Sequence, residues 1–376
     1  MANVQQDFGK GKPVCVGIDV HKRDWVVTVL CQGEELFHGI VPPDAKGFIR
    51  KLKGFGASEI HTVYEAGPTG YWLHRTLTEA DIDSIVTPPS LVPRIGGRVK
   101  TDRRDSRKLA SMLAGGFLKR VYVLSPEEQA HRRLLRTRDQ IEHHRRQTQN
   151  QIKSLMLFHG KHAPATLKER WSDLYVRWIE SVKWEHEELK ISIDALLNLF
   201  NYLTGQYKSL TQQVEQLAYT EKYRDRAFLL VRIPGIGLFT AMAILIELQD
   251  IERFRRADQL ASYLGLTPSQ HSSGEHVRLG HITRCGNHHV RTRLVESSWT
   301  LIRYDAGAKA TYERIKHQTG SGRKAITAIA RRLALRIRRV LPDREPYHLS
   351  GGGQLATGRD KQREARRFVI KTIQHQ

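Results

Sequence analysis

Cysteine is scarce in this chain: Cys15, Cys31 and Cys285 are the only three in 376 residues. So few cysteines exclude a disulfide scaffold, and their spacing does not make a zinc site. No apolar run approaches the roughly 18 residues of a membrane span. The stretch Met1 to Lys12 is polar and lacks the hydrophobic segment of a secretory leader. These absences point to a reducing, cytoplasmic setting, and for a bacterial protein to the nucleoid. Acids are in deficit too: 39 Asp and Glu stand against 61 Lys and Arg, a formal net charge of +22. Such an excess is unusual for an enzyme of small metabolites and common in proteins that sit on polyanions, so nucleic acid is the expected partner. At 40% hydrophobic and 27% charged residues the chain can still build cores, and its length fits two domains with a connector.

The first 124 residues alternate strand and helix patterns. Val14 to Ile18 is a short apolar run ending at Asp19, and Trp25–Cys31 pairs with Glu34–Val41 across Gln32-Gly33. Pro42-Pro43-Asp44 starts a helix to Gly54, Ile60–Tyr64 is a strand ending at Glu65, and a helix opened by Gly67–Gly70 runs through Leu77. Ile82–Val86 is the last strand. Hairpins followed by strand–helix alternation predict a mixed α/β sheet. At Ser125 the period changes. Ser125 with Glu128 forms a capping box, and Pro126 takes the first helical position. A helix with apolar Leu134, Ile141, Ile152 and Leu155 follows, its seam interrupted by Arg145 and Thr148. After a break at Gly160–Pro164, Leu189 to Leu217 keeps a three/four spacing for four heptads. This predicts a helical coiled-coil stalk over 125–225, with burial inside a helical domain as the alternative. Residues 226–342 read as a small helical domain with glycine-containing breaks at 233–237, 265–274 and 280–287. Residues 343–376, with Gly351-Gly352-Gly353 and mixed charge, read as a flexible basic tail.

Four carboxylates stand at informative places. Asp19 and Glu65 end strands, and Asp102 and Asp105, three apart, share one face of a helix continuing to Leu113. Hard oxygen ligands from two strand ends and a helix suit Mg²⁺, and a pair of ions about 3.5–4 Å apart serves phosphodiester chemistry. From Arg94 to Arg120 nine Lys and Arg surround only these two helical acids. A phosphate backbone drawn to that strip would meet them. Plain ion pairs with Arg103, Arg104 and Arg107 would give the same pattern. His21, two residues past Asp19, is a surface histidine or a fifth ligand.

Toward the end of the chain, Arg232-Ile233-Pro234-Gly235-Ile236-Gly237 has the form of a helix–hairpin–helix turn, whose glycines let backbone amides approach phosphate. A simple interhelical turn fits equally. The segment Gly265 to Gly274 holds Ser272 and Ser273, with His271 and His276 as the nearby bases; residue physics alone makes it a polar turn. Residues 303–344 carry twelve Lys and Arg against three acids, with Arg331, Arg332, Arg336, Arg338 and Arg339 on one helical pattern, which favours polyanion contact.

Gly17-Ile18-Asp19-Val20-His21-Lys22, Tyr64-Glu65-Ala66-Gly67-Pro68-Thr69-Gly70 and Lys100-Thr101-Asp102-Arg103-Arg104-Asp105 resemble the RuvC-like DEDD domain of transposases of insertion-sequence family 110, relatives of the Piv-type DNA invertases. Ile233–Gly237, Ala261–Pro268, Ser272-Ser273-Gly274 and Arg284–Asn287 resemble that family's C-terminal domain, in the same order. The resemblance implies a ribonuclease-H-like N-terminal fold, a coiled coil supporting a homo-oligomer, and a helical C-terminal domain. It implies that Asp19, Glu65, Asp102 and Asp105 bind Mg²⁺, that Ser273 (Ser272 being adjacent) attacks DNA, and that a structured noncoding RNA chooses the DNA sites. Cys285 and the long tail depart from the family pattern without touching the acids. The expected function is a DNA transposase and recombinase. A metal-only nuclease of Holliday-junction-resolvase type and a non-enzymatic nucleic-acid-binding protein are the rivals.

Overall fold

Three valine-rich segments pair as their alternation requires. In the computed structural model, which describes residues 8–92, 102–164, 167, 171–273, 276–283, 285–345 and 347–348, β1 (Val14–Val20), β2 (Trp25–Cys31) and β3 (Glu34–Val41) form an antiparallel meander. Gln32 and Gly33 turn the second hairpin with φ of 51° and 92°, the doubly positive backbone of a tight two-residue connection. β4 (Ile60–Glu65) lies parallel to β1, and β5 (Asp83–Thr87) parallel to β4, giving the order β3-β2-β1-β4-β5.

Helices cover both faces of this sheet. α1 (Ala45–Lys53) starts on Asp44, whose carboxylate accepts the amides of Lys46 and Gly47 at 3.1 and 3.0 Å. With α2 (Trp72–Glu79) it buries Trp25, Phe48, Leu52, Tyr64 and Leu73 against one face. α3 (Asp102–Ala114) covers the other, packing Leu109 and Met112 on Val63 and Ile85. The chain then returns to the sheet edge, where the Val121 amide donates to the Val86 carbonyl at 2.7 Å.

The chain divides into two compact units, Met1–Ser125 and Pro126–Gln376. In the second, α4 (Pro126–Phe158) and α6 (Glu187–Ala218) pack antiparallel as a helical hairpin. On α6 the residues Ile193, Leu197, Phe200, Leu203 and Val214 are buried. On α4 Ile152 is buried as expected, while the other buried positions, Leu135, Arg138, Thr148 and Met156, lie a residue or more away from the expected Leu134, Ile141 and Leu155. Thr148 belongs to the seam and does not interrupt it: its hydroxyl donates to the His144 carbonyl at 3.0 Å. Arg138 is tolerated there because its N–H groups reach the Tyr207 hydroxyl at 2.7 Å, Thr211 at 3.0 Å and Asp139 at 3.1 Å while Phe239 stacks on it. A helix absent from the sequence reading, α5 (Asp173–Ser181), packs Tyr175 and Ile179 on Ile152, Met156 and Ile193. Nine residues are too few for a clear period.

The base of the hairpin, through Leu135, Val214 and Ala218, shares a core with the C-terminal helices. At its centre is α8 (Leu238–Leu248), buried at every position from Ala241 to Leu248 and hydrophobic all round, as such a place demands. Around it stand α7 (Arg224–Val231), α9 (Ala257–Tyr263), α10 (His288–Tyr304), α11 (Ala306–Thr319) and α12 (Gly322–Asp343). The region is not wholly helical. β6 (Pro268–Ser273) and β7 (His276–Ile282) form an antiparallel hairpin where breaks and polar turns were expected. β6 is polar throughout and β7 alternates only over Val277 and Leu279, too short a pattern to announce the hairpin. Past Pro342, Tyr347 is 5% exposed, and its hydroxyl donates to Asp305 at 2.5 Å, so this part of the tail is anchored. Among the described residues no helix is long and apolar enough to cross a membrane.

Candidate active site

Strand register brings two of the four sequence-selected acids together. Ile18 of β1 is opposite Tyr64 of β4 in a parallel pair, so Asp19 and Glu65, one step on, end neighbouring strands. Side chains alternate faces along a strand. Ile18 and Tyr64 are both buried toward α1 and α2, which turns Asp19 and Glu65 toward the face covered by α3. Gly17 and Val63 share that face, and a Cβ on Gly17 would lie 2.1 Å from the Ser106 carbonyl and 2.5 Å from the Ala110 amide. Glycine is therefore required: it lets the helix backbone sit directly on β1. The Ser106 hydroxyl then bonds that of Thr28 at 2.9 Å, both groups fully buried. Asp105 precedes this anchor, and Asp102 opens the same first turn of α3.

The loop after Glu65 is fixed as well. Tyr64 donates its hydroxyl to the Gly70 carbonyl at 3.1 Å and accepts the His74 amide at 3.3 Å. Burial pushes its phenol up to about 12, so it stays protonated. Sequence reading selected the acids but not Gly17, Thr28 or Ser106, which set the helix on the sheet. The available signal was a glycine inside a β-branched run, a mark of close backbone approach.

Asp19, Glu65 and Asp105 are all half-buried. His21 Nε2 lies 3.2 Å from the Asp19 carboxylate, as an exposed partner. Asp19 and Glu65 on one sheet face, with Asp105 in the first turn of the helix over it, are hard oxygen donors of the kind a divalent cation takes. Among the described residues no group of three or more His, Cys, Asp and Glu forms a metal cage; for Asp102 only the backbone is described. The basic strip from Arg94 to Thr101 lies outside the described residues.

In the second unit Ser273 ends β6 and pairs with His276, while Ser272 pairs with Val277. These residues are placed by backbone register alone. Gly274, Arg284 and residues 349–376 lie outside the described residues. The turn at 233–237 has a packing role: Gly235, at φ 91°, would put a Cβ 2.3 Å from the Ser297 carbonyl of α10, and Ile233 and Ile236 are buried. The arginines of α12 make contacts within the unit, several of them at its surface. Arg331 bonds Asp258 at 2.9 Å, Arg332 bonds Thr311 at 2.7 Å, and Arg338 donates to the Phe254 carbonyl at 2.6 Å. Arg336 reaches Asp305 at 3.1 Å; Arg339 is exposed.

Two acids escaped sequence reading because nothing local marks them. Glu247 of α8, 0% exposed, receives Arg136 at 2.7 and 2.9 Å and Asn287 at 2.8 Å, with Arg132 at 3.4 Å. Burial pushes its carboxyl up, but Arg136, Arg132 and Asn287 outweigh it and hold the group below the usual range. Asp305, also 0% exposed, caps α11 through the Ala308 amide at 2.8 Å.

A mixed sheet flanked by helices, with acids at the ends of adjacent parallel strands, defines a nuclease-like α/β domain joined to a helical unit. Family models agree on both: one for IS110-type DEDD transposases matches residues 16–159, and one described as "Transposase IS116/IS110/IS902 family" matches residues 227–313. The Sinorhizobium fredii protein y4qE is 33% identical over 329 residues, covering 86% of this chain and 80% of its own. The transposase for insertion sequence element IS1533 of Leptospira borgpetersenii is 29% identical over 254 residues, 64% of this chain and 71% of its own. The pilin gene-inverting protein of Moraxella bovis is 26% identical over 304 residues, 78% of this chain and 83% of its own. The chain belongs to the IS110 family of transposases.

Proposed function

We propose that this transposase cuts and rejoins DNA strands of a mobile element with two sets of groups: the acids Asp19, Glu65, Asp102 and Asp105, and the serine Ser273. The observation that carries the reading is the β1–β4 register, which ends adjacent strands with Asp19 and Glu65 on the face beneath α3. The sheet order β3-β2-β1-β4-β5 supports a ribonuclease-H-like, RuvC-like domain over 1–124. The helical hairpin supports a connector over 125–225 that joins subunits of a homo-oligomer through a coiled coil. Residues 226–342 make the serine-bearing domain, and 343–376 extend it.

The acids would hold divalent metal, Mg²⁺ as one or two ions, and such an ion polarises a phosphoryl oxygen and stabilises the leaving oxygen. The chain's own residues do the rest. Ser273 Oγ attacks phosphorus, a P–O bond to the serine forms as the bond to the departing nucleotide oxygen breaks, and the hydroxyl proton passes to a base. His276, opposite Ser273 in register, is the base nearest in the ladder. The phosphoserine ester keeps the energy of the broken bond, so a second strand's hydroxyl can displace the serine without a high-energy cofactor. The net charge of +22 supplies the sequence-independent attraction for DNA and for a noncoding guide RNA.

Ser272 and Ser273 occupy successive positions of β6, and single substitutions separate them. Ser273→Ala should abolish denaturation-resistant protein–DNA adducts and leave DNA binding intact, and Ser272→Ala should keep the adducts. Adducts that persist in Ser273→Ala would remove the serine from the mechanism. Cleavage without any adduct in the unmodified protein would mean water is the nucleophile, as in a metal-only nuclease.

A further inference from the structure

A cleft of 570 Å³ opens at the base of the β6–β7 hairpin, against the first turns of α12. Its floor is apolar: Leu266, Pro268, Ile282 and Ala328. Its rim is cationic, with Arg323, Lys324 and Arg331 from α12 and His281 from β7, and no carboxylate among the described residues lines it. Asp258 already neutralises Arg331. Arg323 and Lys324 are exposed in the first turn of α12, just after the Ser321 cap. The helix dipole is positive there and disfavours cations, so the arrangement calls for an anion.

We propose that this cleft takes one unstacked nucleotide of the DNA strand, with its base on the apolar floor and its phosphate on Arg323 and Lys324. Clefts of about 300–1,000 Å³ engulf ligands of this size. A guanidinium and an ammonium side by side match phosphate oxygens, and the unstacking a nucleotide needs is a few kcal/mol, recovered against apolar side chains. The occupant is DNA because the cleft lies on the hairpin that carries Ser273. From Pro268 at the cleft to Ser273, β6 spans about 17 Å, roughly five nucleotide steps of a duplex strand. The cleft would thus grip DNA flanking the reacting phosphodiester. This rests on the hairpin being the strand-transfer element, as proposed above.

The test uses the full-length protein and a 20-nucleotide oligomer of thymidine with 4-thiothymidine at single positions. Irradiation should crosslink the oligomer to peptides bearing Leu266–Pro268, Ile282 or Ala328, and equally in Ser273→Ala. Arg323→Ala/Lys324→Ala should weaken binding about tenfold and flatten the log–log salt slope by about 0.7, the value for one phosphate on a single strand. Ala328→Phe, which fills the floor, should abolish the crosslink while the protein keeps its melting midpoint. Crosslinks mapping elsewhere, an unchanged salt slope, or a 4-thiouridine RNA oligomer crosslinking there as strongly would each overturn the assignment. Because Ser273→Ala is carried through the same assay, loss of the nucleophile reading and loss of the cleft reading give different results.

Discussion

Glu247 and Asp305 in the second unit are 0% exposed and enclosed by arginine, asparagine and tyrosine donors, whereas Asp19, Glu65 and Asp105 in the first are half-buried at strand ends and a helix start. The first kind of acid is committed: Glu247 holds α4, α8 and the start of α10 together, and Asp305 ties the start of α11 to α12 and Tyr347. Asp19 and Glu65 are held by the sheet and Asp105 by α3, and part of each residue still faces solvent, as the proposed ligands of an incoming cation would need. In so basic a chain, a carboxylate becomes structural when the fold wraps cations around it, whereas one left partly exposed can still meet an incoming ligand. Composition does not separate the two; burial does.

The comparison is sharpened most by Asp19→Asn. Strand cleavage should fall by about a thousandfold, roughly 4 kcal/mol of barrier, while the melting midpoint stays put; a large loss of stability would make Asp19 an acid of the Glu247 kind. Glu247→Gln should do the reverse, costing about 3–5 kcal/mol because Arg132 and Arg136 lose their buried counterion, read as a lowered denaturation midpoint. Its carboxyl is held below the usual range in the folded state. The stability it contributes is therefore present above its unfolded pKa, near about 4.3, and drains as pH falls through the folded value. Glu247→Gln should flatten that acid limb. Gly17→Ala follows, at about 2–3 kcal/mol, since its Cβ would strike the backbone of α3; cleavage should drop with it, because α3 carries Asp102 and Asp105. Thr28→Val is smallest, about 1 kcal/mol from the hydroxyl partner removed from buried Ser106, measured by urea denaturation.

Much of the first unit was legible. The Gln32-Gly33 turn, the Asp44 cap and the strand ends at Asp19 and Glu65 all follow from patterns confined to a few neighbouring residues. The second unit was legible only where a period ran long enough, as on α6. It failed where polar residues carried the structure: Thr148 and Arg138 in the α4 seam, and the β6–β7 hairpin, whose first strand is polar throughout and whose second alternates only over Val277 and Leu279. The partners of the α12 arginines were not legible, because Asp258, Thr311, Asp305 and the Phe254 carbonyl lie 21 to 84 residues away.

The chain's charge, its local turns and caps, its helix periods and the identity of the acids and serines were settled by the order of the amino acids, because each depends on side-chain chemistry or on spacing within a turn or two. Which acids face outward, why Gly17 cannot carry a side chain, and which arginines are spent inside the protein were decided only when distant segments packed. Those properties belong to pairs of residues that meet through the sheet register and the helix docking, and no single stretch of chain contains both members.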